Sequence, residues 1–430
     1  MNKNKIGFSL VVLLILATNT KQGYAQDELQ LVKVVDVSRH GLRAPLKEYL
    51  NTLDSMTGDG YHWQRDTVTG SHLTPKGDTL ERYLGGYFRL WFQEQGFVLD
   101  SADIYLGASS KQRTVATAKA FSAGMCPGMA LPPVDYKRKD STYGYLDSNY
   151  LPLFIRLSVL GFDTMAFQYE SRRELGELTP PSYVYLEEML RMNHSKYSGG
   201  HFDNHVDVNL YFKDGNGTPL EPTMLGGLRD ANMASDAFIL AFLESKNDTD
   251  TLLGRPIGSY DWKALSSIKD YYGYILFSKA PIIAVNVSHC MLNRIYSEMM
   301  PNGHKYAFFC THDSMIEALL AALRVTPYVL TNTIESKTPI GVKVLFEQWA
   351  EKNCTNPKKY VRVRLVYQSA EQIRKMQHLT LDNPPMSCEL SFSGIEKAPN
   401  SMYPYDEFMN HIQNTLKAYA ATAKGKHPWE

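Results

Sequence analysis

Leu31-Val32-Lys33-Val34-Val35-Asp36-Val37-Ser38-Arg39-His40-Gly41-Leu42-Arg43-Ala44-Pro45 joins two textures. The first eight residues form a compact β-branched run that reads as a buried strand, and the run stops abruptly at Arg39-His40-Gly41, as a strand does when it delivers a loop. His40 is therefore expected at a strand's carboxyl end. Moving outward, Thr74-Pro75 is a helix start, Leu80, Leu84, Tyr87 and Trp91 share one helical face, and Gly96 closes the segment. A strand is expected over 103–107, followed by a helix from about Ser110 to Ser122. The order strand, loop, helix, strand, helix predicts a layered α/β domain with an open sheet.

From about Pro127 to Pro301 the chain becomes rich in Tyr, Met and Leu, with helical segments over 182–192 and 223–245. This stretch reads as an inserted, mostly α-helical cap. A strand then returns at Lys305-Tyr306-Ala307-Phe308-Phe309-Cys310, ends at Thr311-His312-Asp313, and gives way to a helix through Met315, Ile316, Leu319, Leu320 and Leu323. Two strands far apart in sequence thus each end in a histidine. Val342 to Phe346 and Tyr360 to Tyr367 read as further strands, and Tyr405, Phe408, Ile412 and Leu416 as a final amphipathic helix. The expected organisation is 26–126 and 302–430 as the α/β domain, with 127–301 as the cap.

Residues 1–25 carry Lys3 and Lys5, an apolar run from Ile6 to Ala17, and a small-x-small close at Gly23-Tyr24-Ala25, the pattern of a cleaved secretory signal. The run is about half of what spans a bilayer, and no later stretch reaches ~18 apolar residues, so no membrane anchor is expected. Export to a periplasm or medium follows as the expectation. It permits disulfides among the five cysteines, Cys126, Cys290, Cys310, Cys354 and Cys388. Cys354 with Cys388 is the preferred pair, both lying in the final third, although spacing leaves connectivity open.

In open α/β sheets ligands sit beyond the carboxyl ends of the strands, which is where Arg39, His40, Arg43, His312 and Asp313 are expected to gather. Two guanidiniums flanking an imidazole suit a phosphate dianion, which needs several donors in fork geometry. The same charges depress the histidine's pKa and keep a ring nitrogen free to attack. Asp313 would protonate the leaving alkoxide and then deprotonate the attacking water, its own pKa raised by the bound dianion. Taken singly, a histidine after a strand is more often a packing residue and an aspartate at a helix start more often a cap. The full Arg-His-Gly-x-Arg-x-Pro string, answered by a later His-Asp, favours chemistry. Lys+Arg and Asp+Glu both number 45, which argues against a general nucleic-acid surface. His194, His201 and His205, with Asp203, lack the helical spacing of a metal site and read as an exposed loop.

The chain resembles the histidine acid phosphatases, the branch of the histidine phosphatase superfamily that contains bacterial glucose-1-phosphatases and phytases. Arg39-His40-Gly41-Leu42-Arg43-Ala44-Pro45 matches the family's nucleophile loop and His312-Asp313 its proton-donor motif. The resemblance implies a third phosphate-clamping arginine at Arg113, phosphate contact by His312, a small-molecule phosphate ester as partner, and no metal or organic cofactor. Ala44-Pro45-Leu46 and Gln112-Arg113-Thr114-Val115-Ala116-Thr117 look like the glucose-1-phosphatases, whereas Gly41 looks like the phytases. Leu46 stands where many phytases carry threonine, which removes a hydroxyl donor and weighs against tight phytate binding. The rivals are a non-catalytic binder of phosphorylated ligands, which would have no use for Asp313, and a phosphomutase, which would carry a glutamate donor elsewhere and no export signal.

Overall fold

A computed structural model describes residues 28–63, 70–136, 164–178, 180–203, 207–209 and 223–422. The signal-like stretch and His205 lie outside them. The strands are β1 (Leu29–Arg39), β2 (Ile104–Ala108), β3 (Asp207–Asn209), β4 (Thr223–Leu225), β5 (Thr251–Leu252), β6 (Arg255–Pro256), β7 (Tyr306–Thr311), β8 (Lys343–Glu351), β9 (Lys359–Tyr367), β10 (Met386–Glu389) and β11 (Tyr403–Pro404). The helices are α1 (Leu50–Met56), α2 (Pro75–Glu94), α3 (Gln112–Met125), α4 (Thr164–Leu178), α5 (Pro180–Leu190), α6 (Gly227–Glu244), α7 (Trp262–Gly273), α8 (Pro281–Met299), α9 (Asp313–Ala322), α10 (Ala370–Arg374) and α11 (Tyr405–Thr422).

Seven strands form one mixed sheet in the order β10-β9-β8-β1-β7-β2, with β11 added to β9. β1, β7 and β2 run parallel, and β8 lies antiparallel to β1. The parallel strands are buried almost along their whole length because both faces are covered. Alternation separates the faces: Val35, Val37, Ala307, Phe309, Val344 and Phe346 belong to one core, and Val34, Tyr306, Phe308, Cys310 and Leu345 to the other. α2 and α3 cover the second face through Leu84, Phe88, Trp91 and Phe121. α8, α9 and α11 cover the first through Met291, Ile295, Ile316, Leu319 and Ile412, and that core continues unbroken into α6 and α7. Each such side chain contributes about 1.5–3 kcal/mol of burial, and the result is a three-layer α/β/α body carrying further helices.

Lysines inside this body are spent on backbone. Lys33 Nζ donates to the carbonyls of Glu298, Met300 and Gly303 at 2.7, 2.6 and 2.8 Å, closing the end of α8, and Lys76 does the same for Leu243 and Glu244 at the end of α6. In the sheet centre Lys343 pairs with Glu81 at 2.8 Å and donates to Ser38 Oγ at 2.8 Å. α2 seats its first turn on the loop that follows β1. Thr74 caps it by accepting from the Gly77 amide, and the Thr74 amide donates to the Leu42 carbonyl at 2.9 Å. A Cβ at Gly77 would lie 2.2 Å from that carbonyl oxygen. Gly77→Ala should therefore cost about 1–3 kcal/mol as overpacking against rigid backbone. A thermal melt checks this, and an unchanged unfolding temperature would show that the loop can yield.

Three expectations change. Thr223–Leu225 is a short strand paired with Asp207–Asn209, and the helix begins only at Gly227, after Gly226 turns the chain with φ of 101°. α8, expected in the cap, packs on α9 and α11 against the sheet, so the change of texture at Pro301 is not a change of packing partner. Cys354 and Cys388 are not bonded, and all five cysteines are free. Cys388 pairs in register with Leu365 of β9, whereas Cys354 sits in the β8–β9 turn beyond Lys359. That separation is roughly 20 Å along the strand, far beyond the ~7 Å a disulfide can span.

Candidate active site

The three parallel strands end together. Arg39 of β1 pairs with Thr311 of β7, whose neighbour Cys310 pairs with Ala108 of β2. The His40 amide donates to the Thr311 carbonyl at 3.1 Å and the Ser109 amide to the Cys310 carbonyl at 2.9 Å, so the three loops leave side by side. The His40 and His312 rings meet edge to face with centroids 5.6 Å apart. Both belong to a cavity of about 310 Å³ that is also lined by Arg43, Arg113, Lys269 and Asp313.

His40 is almost completely buried, 2% exposed. Its Nδ1 lies 2.9 Å from the Gly41 carbonyl oxygen. Since a carbonyl only accepts, Nδ1 carries the proton and Nε2 keeps a bare lone pair. Burial, reinforced by the charges of Arg113, Arg43 and Arg39, holds the imidazole pKa well below its ordinary value. The ring is thus neutral far into acid.

The three arginines sit in different surroundings. Arg43 Nη2 donates to Asp236 Oδ2 at 2.9 Å. Arg113, in the first turn of α3, places Nη2 3.4 Å from His312 Nδ1, and burial together with Arg43 pulls its pKa down to about 10. Arg39 stands behind the residues that line the cavity, among which are Arg43 and Arg113. It continues the Val35–Val37 face of β1, is fully buried, and holds Glu335 at 2.7 Å and Asp313 at 3.1 Å. Each of the three retains a buried guanidinium Nε with no hydrogen-bond acceptor among the described residues. Buried donors are normally satisfied, so three such groups around one histidine mark a place built for an anion.

His312 caps α9 and places Nε2 3.0 Å from Ser109 Oγ. Asp313 opens that helix, with its side chain 28% exposed. Its Oδ2 lies 3.1 Å from Arg39 Nη2 and 3.2 Å from Lys269 Nζ. Burial pushes its pKa up, but Arg39, Lys269, His40 and Arg43 outweigh that and hold the carboxyl well below its ordinary value. The rise expected from the sequence belongs to the complex with a phosphate dianion; in the free site the surrounding cations set the direction.

Several site residues escaped the sequence reading. Lys269 of α7 bridges Asp236 at 2.7 Å, Asp313 at 3.2 Å and Glu335 at 3.6 Å. Asp236 of α6, placed between Arg43 and Lys269, stays ionised despite burial. Neither lies in a motif; both become meaningful only once α6 and α7 are laid over the strand ends. Glu317, one turn beyond Asp313, also lines the cavity. The histidines of the cap loop stay apart from this chemistry: His194 and His201 are exposed, and no cluster of three potential metal ligands occurs among the described residues.

Residues 30–151 match the sequence profile of the histidine phosphatase superfamily (branch 2). The chain is 31% identical to the glucose-1-phosphatase of Salmonella typhimurium over 425 residues, covering 96% of this chain and 97% of that one. It is 25% identical to the phytase AppA of Escherichia coli over 416 residues, 90% and 92% of the two chains. Among solved structures, the Hafnia alvei phytase in complex with myo-inositol hexakis sulphate superposes with a TM-score of 0.75 at 24% identity, covering 91% of this chain and 98% of that one. An arginine-ringed, neutral histidine at the ends of parallel strands, together with full-length similarity at this level, establishes that the chain belongs to the histidine acid phosphatases of the histidine phosphatase superfamily and is a phosphoric monoester hydrolase.

Proposed function

We propose that the protein is exported and hydrolyses phosphate monoesters of sugars or inositol through a phosphohistidine on His40, with Asp313 as proton donor. The observation that carries the reading is the trio of arginines, each with an unsatisfied buried N–H, converging on an imidazole whose Nε2 is unprotonated. Export rests on the pattern of Lys3, Lys5, the run from Ile6 to Ala17 and Gly23-Tyr24-Ala25.

The phosphoryl oxygens lie against Arg43 and Arg113, with Arg39, His312 and the amino end of α9 completing the donor set. His40 Nε2 attacks phosphorus in line, the bond to the alcohol oxygen breaks, and Asp313 gives that oxygen its proton. Asp313, now ionised, takes a proton from water, whose oxygen attacks phosphorus. The N–P bond then breaks, phosphate leaves and the starting site is restored. A substrate dianion beside Asp313 opposes the pull of Arg39 and Lys269 and raises the carboxyl pKa in the complex.

The phosphoryl-transfer step to His40 favours acid, because it needs Asp313 protonated. His40, with a lowered pKa, loses its proton at low pH and is active above that value; Asp313 must hold a proton in the complex and acts below its own. The kcat profile should be a bell with its maximum on the acid side of neutrality. Steady-state rates across pH 3–9 check this, and a maximum above neutrality would contradict the assignment of Asp313. Phosphate release from glucose 1-phosphate, inositol hexakisphosphate and p-nitrophenyl phosphate, with and without chelator, tests the reading as a whole. Turnover insensitive to chelator is expected. Loss of turnover restored by a divalent cation would overturn it.

A further inference from the structure

Resting on that reading, we propose that Glu317 is a specificity-determining residue, whose carboxyl group hydrogen-bonds a free hydroxyl on the alcohol portion of the substrate. The site would then favour a polyol carrying a single phosphate over one phosphorylated at neighbouring positions. Glu317 follows Asp313 by four residues on α9, so the two side chains leave the same helical face about 5–6 Å apart and line one cavity. A group there is within reach of the atoms attached to the leaving oxygen.

The surroundings are shaped to admit this side chain. Across the gap α7 ends at Gly273, where a Cβ would stand 2.1 Å from Glu317 Oε2. Oε1 accepts from Thr338 Oγ1 at 3.2 Å, which orients the carboxyl. No cation pairs with Glu317 among the described residues, since Lys269 is held by Asp236, Asp313 and Glu335.

The groups facing Glu317 are Asp313 on its own helix, Asp270 and Lys269 on α7, Thr338 in the segment after Glu335, and Tyr328. Burial, then Asp313 and Asp270, raise its pKa to about 8, against the weaker pull of Lys269 and Thr338. A neutral carboxyl offers one donor and one acceptor, the complement of a hydroxyl. A second phosphate at that place would meet a carboxyl with no cation beside it, and ionising that carboxyl would set two anions together.

The readout is the ratio of kcat/KM for glucose 1-phosphate to kcat/KM for p-nitrophenyl phosphate, whose leaving group has no hydroxyl beside the ester oxygen. Glu317→Ala should lower this ratio roughly tenfold, and Glu317→Gln, which keeps a donor and an acceptor, should restore most of it. In the unsubstituted protein the ratio should show a further fall as pH rises through about 8, where the carboxyl ionises, beyond the decline that ionisation of Asp313 imposes on both proteins, and in Glu317→Gln that further fall should be absent. Parallel losses on both substrates, or the same pH trend in both proteins, would overturn the proposal and leave Glu317 a support for Asp313. The Gln variant keeps the side-chain volume, so the pH comparison holds even if the Ala variant does not fold. Failure of the wider reading would look different: His40→Ala would stay active on both esters.

Discussion

Replacing His40 with alanine should lower kcat/KM on every phosphate ester by about 10⁴-fold or more while leaving the unfolding temperature nearly unchanged. The two neighbours of His40 in the cavity, His312 and Asp313, are already committed. His312 points Nε2 at Ser109 and has Arg113 beside Nδ1, and Asp313 is held by two cations. The fold should hardly notice, because the one hydrogen bond of the imidazole runs to the carbonyl of the next residue and its loop is fixed by backbone bonds to Thr311 and Gly341. Removing a ring that three arginines crowd also removes a place where positive charge is costly to add. Steady-state kinetics beside a calorimetric melt would check this. Residual activity above about 1% of the parent, or a melt lowered by many degrees, would count against His40 as a dedicated nucleophile.

Asp313→Asn should divide substrates by leaving group. With glucose 1-phosphate the departing alkoxide needs a proton, and kcat should fall by about 10²–10⁴-fold, the usual worth of a general acid. With p-nitrophenyl phosphate, whose phenolate leaves unaided, phosphoenzyme formation should persist and the loss should concentrate in the water step. A burst of nitrophenolate followed by slow turnover would show this in a stopped-flow trace. The substitution also removes the negative partner of Arg39 and Lys269, which should strengthen the pull of both on a bound phosphate and lower KM. Equal losses on both esters, with no burst, would mean that Asp313 serves mainly to hold those cations.

The strands that build the site were legible because strands buried on both faces are rich in β-branched and aromatic residues and because ligands gather beyond their carboxyl ends. Leu31–Ser38 and Lys305–Cys310 announce both facts, and the structure sets them side by side in register. Arg39 shows where such reading stops. Four residues apart and on either side of His40, Arg39 and Arg43 look equivalent, yet the period of two along β1 sends Arg39 inward to Glu335 and Asp313. The ionisation of Asp313 in the free site was hidden for a related reason, since Lys269, which joins Arg39 in holding the carboxyl down, comes from a helix whose place over the sheet no local pattern announces. Asp236 and Glu317 were silent in the same way: a carboxylate on an amphipathic helix reads as solvated until a second helix covers it. The expected boundary at Pro301 was hard to place because α8 is apolar on the face it gives to α9, as a helix packed in a separate unit would be toward its own core.

The central claim is a covalent bond between phosphorus and one nitrogen, and the most direct measurement is to catch it. Rapid mixing of the full chain with ³²P-labelled substrate, quenching in base because phosphohistidine is labile in acid, and peptide mapping would locate the label. The account predicts base-stable phosphate on the peptide that contains Arg39-His40-Gly41, on Nε2 and not Nδ1, since Nδ1 is committed to the Gly41 carbonyl. Label on His312, on a carboxylate, or on no residue while turnover proceeds would contradict it.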